Sequence, residues 1–102
     1  MIHVIATIQV AAGKRDAFIA EFNANVPNVK AEVGCLAYGP TTDAETDIGA
    51  QIPVRDNVVT IVEQWESLAA LKDHLVAPHM ATYRERVKDI VENVSIQILE
   101  PR

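Results

Sequence analysis

The chain has 102 residues, one domain's worth, and 49% of them are hydrophobic, which excludes a disordered polymer and allows one packed core. Its net charge is −5 and its nine Lys and Arg residues are scattered, so no cationic stripe exists for nucleic acid. No apolar run approaches the ~18 residues of a membrane span, and the single cysteine, Cys35, cannot close an internal disulfide. A cytoplasmic protein without membrane or nucleic-acid partners is expected, organised as one domain over residues 1–102.

"MIHVIATIQV" alternates as a strand, with Ile2, Val4, Ala6, Ile8 and Val10 on one face. From Lys14 to Val33 the apolar positions Phe18, Ile19, Phe22, Val26, Val29 and Val33 step by three and four, the spacing of an amphipathic helix. Pro27 removes a backbone donor inside it, which predicts a kink near 23–27, and Gly34 suits a helix stop. "CLAYGPTTD" reads as a weaker second strand, and the polar stretch 42–57 as a long hairpin connection.

"VVTIVEQWE" is β-branched throughout and gives the clearest strand. Ser67 is placed to cap a helix burying Leu68, Leu71 and Leu75, and Pro78 ends that helix while starting the next. Met80, Tyr83, Val87 and Val91 follow at helical spacing, and Val94, Ile96 and Ile98 alternate in a last strand. The order β-α-β-β-α-β is ferredoxin-like: an α+β fold with a four-stranded antiparallel sheet and its helices on one face. Aliphatic side chains lie on both faces of the strands, Val59 and Ile61 on one side and Val58 and Val62 on the other. The second face therefore needs a cover, and a symmetric partner sheet is the economical one.

Residues able to carry chemistry are few. His74 and His79 in "HLVAPHM" lie five apart, about 140° around a continuous helix, unlike the i,i+4 pairs that bind zinc, and no third ligand stands nearby; no metal is expected. The break at Pro78 allows both rings to reach one side of a helical corner, as base and hydrogen-bond donor, against the plain alternative of two polar surface residues. Glu63 and Trp65 share a strand face, where a carboxylate is costly unless paired or beside a cavity. Tyr83 lies one turn beyond His79 with Arg84 next to it. Cys35 has no basic neighbour to activate it and reads as structural. The three spaced carboxylates of "DAETD" read as a solvated loop, because the glycine and final Glu of a calcium loop are missing.

"VPNVKAEVGCLAY", "IVEQWES", "LKDHLVAPHMATY" and "SIQILEP" resemble the antibiotic biosynthesis monooxygenase family, nearest to its bacterial quinol monooxygenase branch. The resemblance implies a dimeric α+β barrel of two ferredoxin-like sheets, each with a cavity between sheet and helices. It implies oxygenation of quinols or related phenolic aromatics by O2 with no cofactor. His79 or His74 would be the base, with His79 favoured for its neighbour Tyr83. Glu63 would orient an imidazole, and Trp65, Tyr83, Arg84 and Tyr38 would hold the small aromatic substrate. The haem-degrading relatives carry an Asn on strand one and a Trp in the second helical region. Ala6, Thr7 and His74 stand in those places here, which argues against haem. The alternative class is a non-catalytic barrel that binds a small apolar ligand such as a quinone.

Overall fold

The computed structural model describes residues 1–102. The elements are β1 (Ile2–Val10), α1 (Arg15–Lys30), β2 (Cys35–Thr41), β3 (Val58–Trp65), α2 (Leu68–Leu75), α3 (Pro78–Val87) and β4 (Val91–Leu99). The sheet is antiparallel in the order β2-β3-β1-β4, the ferredoxin-like α+β arrangement that the sequence predicts. Register places Val4 opposite Glu63, Ala6 opposite Ile61 and Ile8 opposite Val59, so one face of the two central strands is closed under the helices.

The core follows from that alternation. Val4, Ala6, Ile8 and Val10 of β1 and Val59, Ile61 and Trp65 of β3 pack against Phe18, Phe22 and Val29 of α1 and Leu71, Met80, Tyr83 and Val87 of the later helices. Each fully buried large side chain here contributes about 1.5–3 kcal/mol through lost water contact. The aromatic members form a chain, with Phe22 stacked on Tyr38 at 5.1 Å and edge-on to Tyr83 at 5.7 Å.

Three sequence expectations change. α1 continues past Pro27 to Lys30, as the spacing predicts; Asn23 and Pro27 lie on its solvent side, where water can satisfy the carbonyl that proline leaves unpaired. The helix stops before Val33, which is 91% exposed, because residues 31–34 turn the chain toward β2. On α2 only Leu71 of the three leucines is buried; His74, one turn further on, takes the inner position instead of Leu75. Val91 begins β4 and does not belong to α3.

Gly34 fixes the turn that matters most. Its φ is +88°, and a Cβ there would lie 2.6 Å from the Cβ of Ala70 on α2. Only glycine allows both the backbone conformation and this approach. The Gly34 carbonyl accepts from the Glu66 N–H at 2.8 Å, the Glu32 N–H donates to Val29 O, and the Glu32 carbonyl accepts from the Cys35 N–H. Residue 32 is thereby clamped beside the start of α2.

On β4 the side chains of Val94, Ile96 and Ile98 point to the helix side, opposite Ile8, Ala6 and Val4. All three stay about half exposed at this edge of the sheet. The other sheet face presents Ile5, Thr7, Val58, Thr60 and Val62, only partly buried and uncovered.

Candidate active site

The helix–break–helix corner brings the two histidines together. Ser67 Oγ accepts the Ala70 N–H and starts α2, while Pro78 occupies the first turn of α3, where its missing N–H costs nothing. His74 comes from the last turn of α2 and His79 from the first turn of α3. Their rings converge on a residue the sequence reading did not single out: Glu32. His74 Nδ1 lies 2.9 Å and His79 Nε2 2.8 Å from the same oxygen, Glu32 Oε2. An ionised carboxylate is acceptor only, so each contact is an N–H donated by imidazole.

This fixes the direction of His74. The residue is 2% exposed, its Nδ1 is engaged by Glu32, and no buried side-chain nitrogen or oxygen lacks a partner. Nε2 therefore opens onto free space, and the space that His74 lines is a cavity of about 360 Å³ between sheet and helices. Ala6, Ile8, Phe22, Ile61, Met80 and Val87 supply most of its apolar wall. The volume falls within the roughly 300–1,000 Å³ of small-molecule sites. The exposed side chains of Val94, Ile96 and Leu75 stand at its open side.

Glu63, Tyr38 and Tyr83 are the buried polar members of the same wall. Glu63 Oε1 accepts the Trp65 indole N–H at 2.9 Å, which leaves Oε2 toward the cavity. Burial pushes the Glu63 carboxyl up to about 6, and the Glu32 charge adds to this while the indole N–H opposes it. Burial also raises both tyrosine hydroxyls well above the ordinary phenol value, for Tyr38 with help from the Glu63 charge. Both remain neutral donors. Burial lowers His74 below the usual imidazole value, against the opposing pull of Glu32, so the ring is held neutral and able to accept a proton at Nε2. Arg84 stands at the cavity's edge, anchored by Nη2 to the Leu75 carbonyl at 2.9 Å, with Lys88 beside it.

Of the seven residues singled out from the sequence, five line this cavity: His74, Glu63, Tyr38, Tyr83 and Arg84. Three roles are corrected. Trp65 does not wall the cavity; it is fully buried and packs behind His74, ring centroids 4.6 Å apart. Glu63 does not orient an imidazole, because its bond goes to Trp65 and the imidazoles belong to Glu32. His79 is turned away from the apolar cavity and lines a separate polar cleft between α1 and α3, so Tyr83 does not hold it as a cavity base. The missed carboxylate had one sequence signal, an acidic residue two before a helix-stopping glycine. Its partners lie 42 and 47 positions away, beyond the reach of any local pattern.

No group of three or more His, Cys, Asp and Glu side chains is arranged to hold a metal ion. Cys35 is half-buried, with its thiol raised first by burial and then by Glu32 and Glu63, which makes it a poor nucleophile. In the 42–57 loop, Asp43 makes a two-pronged pair with Arg55. No helix is long and apolar enough to cross a membrane.

A βαββαβ unit with polar groups set into an apolar cavity between sheet and helices has the form of a small-molecule site. The chain belongs to the antibiotic biosynthesis monooxygenase family, whose model matches residues 1–86. It is 41% identical over 103 residues to "Probable quinol monooxygenase YgiN" of Escherichia coli (strain K12), covering 99% of this chain and 98% of that protein. Among solved structures it is similar to PA3566 from Pseudomonas aeruginosa, with a TM-score of 0.81 and 29% identity over 99% of this chain and 93% of that one. It is also similar to Rv0793 from Mycobacterium tuberculosis, with a TM-score of 0.80 and 25% identity over 99% and 94%.

Proposed function

We propose that this member of the family is a cofactor-free monooxygenase of quinols or closely related phenols, using O2 as co-substrate. The observation that carries the reading is His74, a neutral buried base whose Nε2 opens onto an apolar cavity while Nδ1 is backed by Glu32. A phenol ionises near 10, so at neutral pH a positioned base is the main catalytic demand. Triplet O2 reacts poorly with closed-shell molecules, but a quinol anion is electron-rich enough to give it one electron directly.

In the proposed reaction His74 Nε2 takes the quinol proton, and Glu32 stabilises the imidazolium across the ring. Tyr38 and Tyr83 donate hydrogen bonds, and the Arg84 cation favours the anion. The apolar wall keeps water from the radical pair until oxygen bonds to the ring. The balance is quinol plus O2 giving a hydroxylated quinone plus water. Oxygen uptake with menadiol, followed by product analysis, tests this. Uptake well above autoxidation, yielding hydroxyquinone without peroxide, is expected. Quinone with stoichiometric peroxide would reassign the protein as an oxidase, and uptake no faster than in buffer would leave a ligand-binding barrel.

We further propose a homodimer, since the bare sheet face with Val62 and the uncovered side of β4 both call for a partner surface. Light scattering should give about twice the 11.2 kDa chain mass. A clean monomer at micromolar concentration would refute the dimer.

A further inference from the structure

Besides His74, Glu63 and Tyr38 each bring a free polar atom to the apolar cavity, although both residues are only 6% exposed. They face each other across the β2–β3 pair and share the helix side of the sheet. Glu63 Oε1 accepts from the Trp65 indole, while no protein group bonds to Glu63 Oε2 or to the Tyr38 hydroxyl. Neither atom is sealed without a partner, so both reach the space their residues line. The His74 ring stands against the same two aromatic rings, 4.6 Å from Trp65 and 5.4 Å from Tyr38. A ligand therefore meets hydroxyl donors from Tyr38 and Tyr83 and two acceptors, His74 Nε2 and the Glu63 carboxylate.

The acceptors decide which redox state fits. A hydroxyl on an aromatic ring both donates and accepts, so each hydroxyl of a quinol can satisfy one acceptor and one tyrosine together. A quinone carbonyl only accepts. The tyrosines can bind it, but His74 Nε2 and an ionised Glu63 would each meet a lone pair and stay unpaired. A hydroxyquinone offers one donor to two acceptors. We infer that Glu63 reads the second hydroxyl of the quinol, so that the cavity holds the reduced substrate and rejects its oxidised product. This deepens the monooxygenase reading and rests on it for the identity of the diol. Glu63 makes and breaks no covalent bond in this role. It accepts a hydrogen bond from the bound substrate and loses that bond once the ring is oxidised, which favours release.

The preference has a pH limit. The Glu63 carboxyl is pushed up to about 6, and in its protonated form it can donate to a carbonyl. Quinone binding should therefore strengthen as pH falls through that value. The titratable and charged groups around Glu63 are Cys35 and Tyr38 on β2, His74 on α2, Tyr83 on α3 and Glu32 in the α1–β2 turn, with Arg84 and Lys88 at the cavity's edge. Burial holds both tyrosines neutral, and His74 is the neighbour that can also gain a proton in acid.

Anaerobic titration calorimetry with menadiol and menadione reads the selection without turnover. At about pH 7.5 wild type should bind menadiol roughly 10–10²-fold more tightly than menadione, the scale of leaving a buried acceptor unpaired. Glu63→Gln keeps the indole bond through its carbonyl and turns an N–H donor to the cavity. Menadione should then bind more tightly, and the ratio should shrink about tenfold. In wild type the ratio should fall toward the Gln value as pH drops from about 7.5 to about 5, through the Glu63 titration. Any pH change that remains in Glu63→Gln belongs to His74.

Equal affinities in wild type at the higher pH, or a ratio that Glu63→Gln leaves unmoved, overturns the assignment. Failure of wild type to bind menadiol overturns it as well. A selective, Glu63-dependent cavity in a protein that consumes no oxygen would sink the monooxygenase reading alone. Turnover without any preference for menadiol over menadione would sink the selector alone.

Discussion

Two glutamates stand near the same aromatic cluster, and their surroundings give them opposite tasks. Glu63, at the end of β3, is buried with one neutral donor, the Trp65 indole, and its carboxyl is pushed up to about 6. Glu32, in the turn between α1 and β2, meets two imidazoles on one oxygen and makes no contact with the cavity. A desolvated carboxylate with a single neutral partner is costly to keep charged, whereas one held between ionisable rings can stabilise positive charge as it forms. Glu63 is therefore suited to hold or release a proton at the cavity wall. Glu32 is suited to act from behind the base.

The sharpest way to break this contrast is to remove the group that joins Glu32 to the cavity. His74→Gln keeps an amide donor for Glu32 but has no proton acceptor of suitable basicity, so menadiol turnover should fall about 10²–10⁴-fold with the fold retained. Turnover and substrate affinity measured together check this; an unchanged rate would separate the histidine from the chemistry.

A second test displaces the turn that carries Glu32. Gly34→Ala forces a side chain into a positive φ and against Ala70, which together should cost about 2–4 kcal/mol. For a chain this size that lowers Tm by about 10 °C or more, readable by calorimetry. Turnover of the molecules that remain folded should fall as well, because the Glu32 contacts depend on this turn.

The third test acts on Glu63 alone and has the opposite sign. Its folded carboxyl titrates at about 6 against an ordinary value of 4.5, so the folded chain holds more protons than the unfolded one between those pH values. Stability from this group is present below about 4.5 and lost as pH rises through about 6, a difference of about 2 kcal/mol. Glu63→Gln still accepts the indole N–H and carries no charge. Its Tm should exceed wild type at pH 7 to 8, with the gain vanishing toward pH 4.5. Denaturant melts across that range check it.

Much of the fold was legible because it rests on local alternation. The strands announced themselves through residues such as Val59 and Ile61, and Ser67 and Pro78 marked the helix starts. The sequence also placed both histidines at a helical corner where they could meet. It did not place His74 in the core, because an apolar periodicity assigns the inner stripe to Leu68, Leu71 and Leu75 and has no slot for an imidazole. A polar ring becomes a core residue only when a distant partner satisfies it. That partner, Glu32, sits in a turn whose shape depends on Gly34 and Ala70 approaching from different elements. For the same reason Trp65 and Glu63 read as cavity wall and imidazole partner, when the strand spacing that put them on one face also let them bond to each other.

The central claim is that His74, backed by Glu32, is the base of the reaction. The pH dependence of kcat/KM for menadiol in wild type and Glu32→Gln tests it most directly. In wild type the activity should rise with pH along a limb below the ordinary imidazole value of 6.5, since burial lowers His74 and only its neutral form accepts a proton. The Glu32 hydrogen bond and charge both raise His74, so removing the charge should move that limb to still lower pH while the plateau falls about 10–100-fold. A limb and plateau that coincide with wild type would contradict the account, because neither the protonation of His74 nor the rate would then depend on Glu32.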